Sequence, residues 1–331
     1  GKLHLNASPP HPHPTNARSS ARCGGIMASE LALGHAGILK PGPLRWLRAI
    51  AWMFGLAIVC VLAMNLAAEA THRLAPMISG EPFTTRAGAP VLVRLMSVIV
   101  GSIVLFGVYA LAIVFAERRK PSELSLKHAA PELIVGLLIG GVLIALIVGA
   151  LWTAGWVTIT PTPITRVAES IKQAIQSGVA EEVLMRLIVF RLLWRATAVW
   201  PAFIITALLF GGLHLANPDA TLFSAACLTA GEGIGAGLYL LTGRVWMSVG
   251  MHAGWNFAQG WLFGAIVSGL DTFPGGPLQT RPVAGVNEML SGGGFGPESS
   301  IAALGFSLLA SVIFMFAAWK RGRTKAQHGA S

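Results

Sequence analysis

The strongest constraint on the fold of this chain comes from its long apolar runs. Six stretches of roughly 20 residues contain no Lys, Arg, Asp or Glu, a length that fits a membrane-spanning helix. They are 49–68, 95–116, 133–157, 196–216, 245–270 and 301–319. Two further stretches, 171–193 and 220–243, have the length but include ionisable residues. The sequence therefore predicts about eight transmembrane helices.

Composition supports this interpretation. The 331 residues are 54% hydrophobic and only 11% charged, whereas soluble domains are close to a quarter charged. This composition excludes a disordered chain and a coiled coil. A disulfide scaffold is excluded as well, because the three cysteines, Cys23, Cys60 and Cys227, form neither a framework nor a CxxC pair. We expect an all-α, polytopic helix bundle embedded in the lipid bilayer.

The basic residues predict the orientation of the bundle. With the N-terminus inside, 17 of the 24 Lys and Arg residues fall on cytoplasmic segments and six on the opposite side, with Arg186 left within the membrane. Cytoplasmic loops carry such an excess, and an even number of spans returns the C-terminus to the same side. We therefore predict an N-in, C-in multi-pass protein of a cell membrane, bacterial in type. The net charge of +10 reflects topology and does not indicate nucleic-acid binding.

The chain divides into five predicted regions. They are a disordered basic segment (1–44), the first two transmembrane helices (45–115), a core (116–265), a Gly/Pro-rich extracytoplasmic loop (266–300) and the last helix with its basic tail (301–331). Met27 is a candidate translational start, and the first span is not expected to be a cleavable signal peptide.

Ionisable residues inside spanning helices are costly, so each indicates a functional site by default. Glu182 and Arg186 are four residues apart and can pair on one helical face, which leaves the adjacent Glu181 free to act as a base. His252 and Asn256 share another face at the same spacing, and His214 ends the helix that begins near 196.

Each of these residues also has a structural interpretation. The Glu182–Arg186 pair could be a buried salt bridge, and an isolated histidine often links helices by hydrogen bonds. Glu232 lies in a run of small residues that favours close helix packing, and we expect a structural role for it. The combination of two acids, two histidines, an arginine and an asparagine at membrane depth favours one catalytic site.

Three motifs in this order resemble the CPBP family of intramembrane proteases. They are EExxxR (Glu181, Glu182, Arg186), FxxxH (Phe210, His214) and HxxxN (His252, Asn256). The family includes type II CAAX prenyl endopeptidases and proteins linked to bacteriocin processing or self-immunity. The resemblance is clearest over about 115–265 and extends to the SGGGFGPE loop at 291–298, and the family pattern does not require Glu232.

The resemblance implies an endopeptidase that acts on a membrane-associated or lipidated, CAAX-type protein or peptide. Glu181 and His214 would activate water, His252 and Asn256 would stabilise the oxyanion, and Arg186 would hold Glu182. The family is commonly described as metalloproteases, with Glu181, His214 and His252 as candidate Zn²⁺ ligands. A direct glutamate mechanism uses the same residues without metal, and both stay open here.

Two other functions are compatible with the sequence. A non-enzymatic bacteriocin self-immunity protein would keep the fold and lose the need for the catalytic residues. A proton-coupled transporter would use the acids as a relay, but such proteins usually show internal repeats or broken helices, and the apolar blocks are not paired in this way. The substrate and the side on which the site opens are not decided by the sequence.

Overall fold

The protein is a bundle of helices with one small sheet. A computed structural model describes residues 33–79, 88–273 and 275–325, and 73% of it is helical. The helices are α1 (Arg45–Ser79), α2 (Val91–Ala116), α3 (Ala129–Thr153), α4 (Val167–Glu182), α5 (Arg191–Ala196), α6 (Val199–Leu213), α7 (Leu222–Thr242), α8 (Trp246–Phe257), α9 (Glu288–Ser291) and α10 (Ile301–Lys320). The strands are β1 (Val157–Pro161) and β2 (Leu278–Pro282). Two π-helical segments, Val183–Phe190 and Ala258–Leu262, connect α4 to α5 and extend α8.

Six of the described helical segments are long and apolar enough to cross a membrane. They are Arg45–Met77, Val91–Ala116, Ser122–Thr153, Val199–Ala216, Leu222–Thr242 and Ile301–Lys320. The other two predicted spans are also helical, but the segment from α4 to α5 carries several charges and the extended α8 stops at Leu262. The predicted all-α membrane bundle is confirmed, and the count of eight spans is approximate.

The helix ends that carry the basic residues meet at one end of the bundle, called here the basic end. Arg191 of α5 pairs with Glu117, which follows α2, at 2.8 Å between Nη2 and Oε1. Arg244, which follows α7, pairs with Glu132 in the first turn of α3. The predicted topology requires this clustering. The side of the membrane that the basic end faces stays a prediction.

Part of the segment predicted to be disordered is packed at the basic end. Gly37–Leu39 forms a 3₁₀ turn, and Leu39 is only 1% exposed. The Arg195 guanidinium donates hydrogen bonds to the carbonyls of Gly34 and Leu39, each at 2.8 Å. The prediction of disorder is therefore wrong from about residue 33 onward, because these bonds and the burial of Leu39 fix the backbone. Residues 1–32 lie outside the described residues.

Helices α3 and α8 pack closely through glycine. Gly136 and Gly140 of α3 and Gly250 and Gly254 of α8 form two G-x-x-x-G motifs that face each other. A Cβ atom at any of the four positions would collide with the backbone of the opposite helix, as expected where small residues let two membrane helices approach. Since α8 carries His252 and Asn256, this contact helps to set the position of both side chains.

We expect Gly254→Ala to destabilise the protein by about 1–3 kcal/mol, the usual cost of overpacking, although alanine is the better helix former by about 1 kcal/mol. Gly149→Ala on α3 is the matched control, because a Cβ there meets nothing within 4 Å. Thermal unfolding in one detergent compares the two variants. Equal stability of both would contradict the close α3–α8 contact.

The Gly/Pro-rich region 266–300 is more structured than a loop. Strand β2 pairs antiparallel with β1, with Val157 opposite Pro282 and Pro161 opposite Leu278. Helix α9 and a 3₁₀ turn at Pro297–Ser299 follow before α10 begins. This region covers the end of the bundle opposite the basic end, and its extracytoplasmic location stays a prediction.

Candidate active site

Glu181 and Glu182 are adjacent in sequence but lie in different environments. The Glu182 side chain is 1% exposed and the Glu181 side chain is 35% exposed. The helix changes from α to π directly after them, at Val183, and such π segments are frequent at functional sites. One carboxylate therefore points into the protein interior, and the other is accessible from a cavity.

The buried Arg186 holds two carboxylates. Its Nε donates to Oε2 of Glu182 at 2.8 Å, and its Nη2 donates to Oε1 of Glu182 at 3.2 Å. Its other partner is Glu232 of α7, reached by Nη1 and, at 3.2 Å, by Nη2. Gly235 makes room for this guanidinium, since a Cβ there would collide with it. The Glu182–Arg186 pair is thus present as predicted, and Glu232 completes it.

His252 connects the two acids of the EExxxR motif. Its Nδ1 lies 3.0 Å from Oε1 of Glu182, and its Nε2 lies 3.6 Å from Oε2 of Glu181. A carboxylate only accepts hydrogen bonds, so Nδ1 carries the proton that Glu182 receives. Nε2 then faces Glu181 at a distance slightly longer than a hydrogen bond.

Asn256 lies one helical turn after His252 and is tied to α4. Its Nδ2 donates to the Ser177 hydroxyl at 3.0 Å, and Ser177 lies one turn before Glu181. An amide nitrogen has two N–H groups, so one donor of Asn256 is left for a ligand. This bond holds the HxxxN motif beside the EExxxR motif.

His214 is held by the carbonyl of its own helix. Its Nδ1 lies 2.8 Å from the Phe210 carbonyl oxygen, which must accept, so Nδ1 carries a proton and Nε2 is left as an acceptor. The Phe210 ring packs on His214 with centroids 4.6 Å apart and meets His252 edge-on at 6.3 Å. The FxxxH motif thereby places an aromatic ring between the two histidines.

All six predicted site residues line one cavity of about 150 Å³. The members are Glu181, Glu182, Arg186, His214, His252 and Asn256. Ser268, Leu270 and Phe273 from the region that covers the bundle also line it. The cavity therefore reaches toward the end opposite the basic end, which the sequence left undecided.

The metal ligands implied by the resemblance do not form a metal site in this geometry. Across 33–79, 88–273 and 275–325, no three His, Cys, Asp or Glu side chains are placed to hold one ion. In His214 and His252, Nδ1 is bonded to a carbonyl and a carboxylate, so each ring has only Nε2 left for a ligand. As they are placed in the described residues, these side chains do not fit the three-ligand set of a catalytic zinc.

Several polar residues of the cavity wall are not among the predicted site residues. One of them is Glu298, a buried acid whose carboxyl oxygens accept hydrogen bonds from Ser268 and Trp255. Asn217 and Ser177 also contribute polar groups. The one available signal was the SGGGFGPE stretch, which ends at Glu298, but its sequence says nothing of what the carboxylate contacts.

Comparison with known proteins gives a family match for part of the chain. Curated proteins gave no match, and neither did solved structures. Residues 163–258 match the model of the Rce1-like type II CAAX prenyl endopeptidase family, a narrower range than the predicted core. The matched segment contains all six predicted site residues. The similarity to the Rce1-like type II CAAX prenyl endopeptidase family therefore covers residues 163–258, and it supports an intramembrane protease at the level of the family.

Proposed function

We propose that the protein is an endopeptidase that hydrolyses a peptide bond in a membrane-associated or lipidated, CAAX-type protein or peptide. The observation that carries this proposal is the difference between the two acids. Glu182 is committed to Arg186 and His252, whereas Glu181 remains accessible from the cavity. One acid serves structure and leaves the other available for chemistry.

In the proposed reaction, Glu181 and His214 hold a water molecule. The water oxygen attacks the carbonyl carbon of the scissile bond, and Glu181 takes the proton that is released. The proton then passes to the amide nitrogen as the C–N bond breaks, which yields a free carboxylate and an amine. The unprotonated Nε2 of His214 suits this role, because it can accept a hydrogen bond from the water.

The tetrahedral intermediate carries a negative oxygen that needs hydrogen-bond donors. Asn256 has one N–H left after its bond to Ser177, and His252 would offer Nε2–H when its ring is doubly protonated. Arg186 and Glu232 keep Glu182 in place, and Glu182 in turn orients the His252 ring. These residues would act before the reaction by fixing the geometry.

Cleavage by purified protein in lipid vesicles tests the proposal. A prenylated CAAX peptide and its unprenylated counterpart are supplied, and mass spectrometry locates the cut. We expect His214→Ala to lower the cleavage rate by about 100-fold or more, the usual contribution of acid–base catalysis. His128→Ala is the control, because His128 lies before α3 at the basic end, remote from the cavity, and should cleave normally.

The result also separates the alternatives. Equal cleavage by His214→Ala and the wild type would contradict the proposed mechanism. If no peptide is cut and cells that express His214→Ala stay protected from a peptide toxin, a self-immunity protein without catalysis explains the fold better. If the wild type carries protons across the vesicle membrane and a variant without the Glu181 carboxylate does not, the result would instead support a transporter.

A further inference from the structure

Glu298 is a buried carboxylate that the proposed reaction does not use. It is 4% exposed and lies in the 3₁₀ turn Pro297–Ser299, directly before α10. It lines the same cavity as Glu181 and His214, yet it is outside the segment that matches the family model. A buried carboxylate is costly unless hydrogen bonds compensate for the lost water.

Its hydrogen bonds join three separate segments. Oε1 accepts from the Ser268 backbone N–H at 2.5 Å and from the Ser268 hydroxyl at 2.7 Å. Oε2 accepts from Nε1 of Trp255 at 3.2 Å, and the same N–H also contacts Oε1 of Gln259 at 3.0 Å. Trp255 lies on α8, between His252 and Asn256. One carboxylate thereby links the start of α10, the turn at 267–270 and the helix that carries the HxxxN motif.

The turn at 267–270 needs such support. Ser268 has a φ of 49°, a left-handed conformation that costs a non-glycine residue roughly 1–2 kcal/mol. The Asn217 side chain holds the Ser268 carbonyl at 2.9 Å, and the Gly269 N–H binds the Phe295 carbonyl at 2.8 Å. Asn217 follows His214 by three residues, so this strained turn is bonded to the segment that leads out of the FxxxH motif.

Glu298 faces the cavity that His214 also lines. Burial raises the pKa of the Glu298 carboxyl above its ordinary value, while the hydrogen bonds from Ser268 and Trp255 oppose that rise. The carboxyl therefore belongs to the wall of the candidate site and is bonded to the turn as well.

We infer that Glu298 is a positioning residue of this active site, which holds the turn at 267–270 and Trp255 around His214 and so shapes the place where the scissile bond enters. The inference rests on the proposed function. It adds a residue outside the three motifs, and it gives the covering region 266–300 a part in catalysis.

The test compares Glu298→Gln with Glu288→Gln in the full-length protein. Glutamine keeps the shape of the side chain but replaces one of its two acceptor oxygens by a donor NH₂. The remaining oxygen cannot accept from both Ser268 and Trp255. Glu288 is exposed, lies in the same region and receives the same substitution. Hydrogen exchange followed by mass spectrometry reports on the peptide that contains 267–270, and peptide cleavage gives kcat and KM.

In Glu298→Gln we expect the amide hydrogens of this turn to exchange faster than in the wild type. We also expect kcat to fall by about 10- to 100-fold, since misplacement of active-site groups by about 1 Å has such effects. KM and the melting temperature should stay close to the wild-type values. The control should match the wild type in every measurement. Should Glu298→Gln not fold, Ser268→Ala, which removes only the hydroxyl donor, takes its place in the same comparison.

Unchanged exchange at the turn, or faster exchange with unchanged kcat, would overturn the inference. A fall in activity that matches a fall in folded protein, with KM and the turn unaffected, would also overturn it in favour of a structural role. If the wild type cleaves no peptide, the proposed function fails, and the exchange measurement then decides alone whether Glu298 holds the turn.

Discussion

Replacing Arg186 by methionine is expected to lower the free energy of unfolding by about 3–5 kcal/mol, the usual cost of removing one partner from a buried ion pair. Glu182 and Glu232 would be left in the interior without their common cation. Methionine fills much of the volume of the arginine stem, so the loss reports on charge more than on packing. A denaturant titration in mixed micelles measures the change in the free energy of unfolding.

Arg73→Met is the matched control for this prediction. Arg73 pairs with Glu69 at the same i,i+4 spacing as Arg186 with Glu182, but its side chain is 78% exposed. Exposed pairs contribute little, so the expected change is within about 0.5 kcal/mol. Equal losses in the two variants would show that the buried cluster has no special importance for stability.

Glu181→Gln is expected to lower the cleavage rate by about 10²- to 10⁴-fold, the range for loss of general acid–base catalysis. The protein should fold as before, because Glu181 is 35% exposed and its one ion-pair contact in the described structure is the 3.6 Å approach to His252. Kinetics with a cleaved peptide and thermal unfolding of the same samples measure both effects.

Glu182→Gln provides the comparison, since its carboxylate is buried and bonded to both Arg186 and His252. We expect this neighbouring substitution to lower stability as well as activity. Normal cleavage by Glu181→Gln would contradict the assignment of the base, and equal destabilisation by both variants would contradict the division of roles between the two acids.

Much of this site follows from spacing along the sequence. Helical periodicity is enough to pair Glu182 with Arg186 and to put His252 and Asn256 on one face, and the structure contains both features. The bundle itself follows from the apolar runs, because a membrane-spanning segment must satisfy its backbone hydrogen bonds internally.

Contacts between distant segments were beyond sequence reasoning. Nothing in the chain indicates that Glu232 shares Arg186 with Glu182, or that Gly235 leaves space for the guanidinium. The pairing of β1 with β2 joins segments more than 100 residues apart, and although β1 alternates apolar and polar residues (VTIT), β2 (LQTRP) does not. The position of Glu298 likewise depends on how the region before α10 folds back over the cavity.

The span count was approximate for a related reason. The helix from α4 to α5 carries the candidate site and an ion pair at the basic end, and these charges make it a weak match to an apolar span. Length and hydropathy describe contact with lipid, whereas this helix is mainly surrounded by protein, with Arg186 and Arg191 fully buried.

An experimental structure that resolves ordered water tests the central claim most directly. We predict one water molecule within about 2.6–3.2 Å of both the Glu181 carboxylate and Nε2 of His214, with the side-chain nitrogens of His252 and Asn256 directed at the same space. Separation of these four side chains by more than a helix diameter, about 10–12 Å, would contradict a shared site. A metal ion bound by Glu181, His214 and His252 in place of that water would contradict the metal-free mechanism.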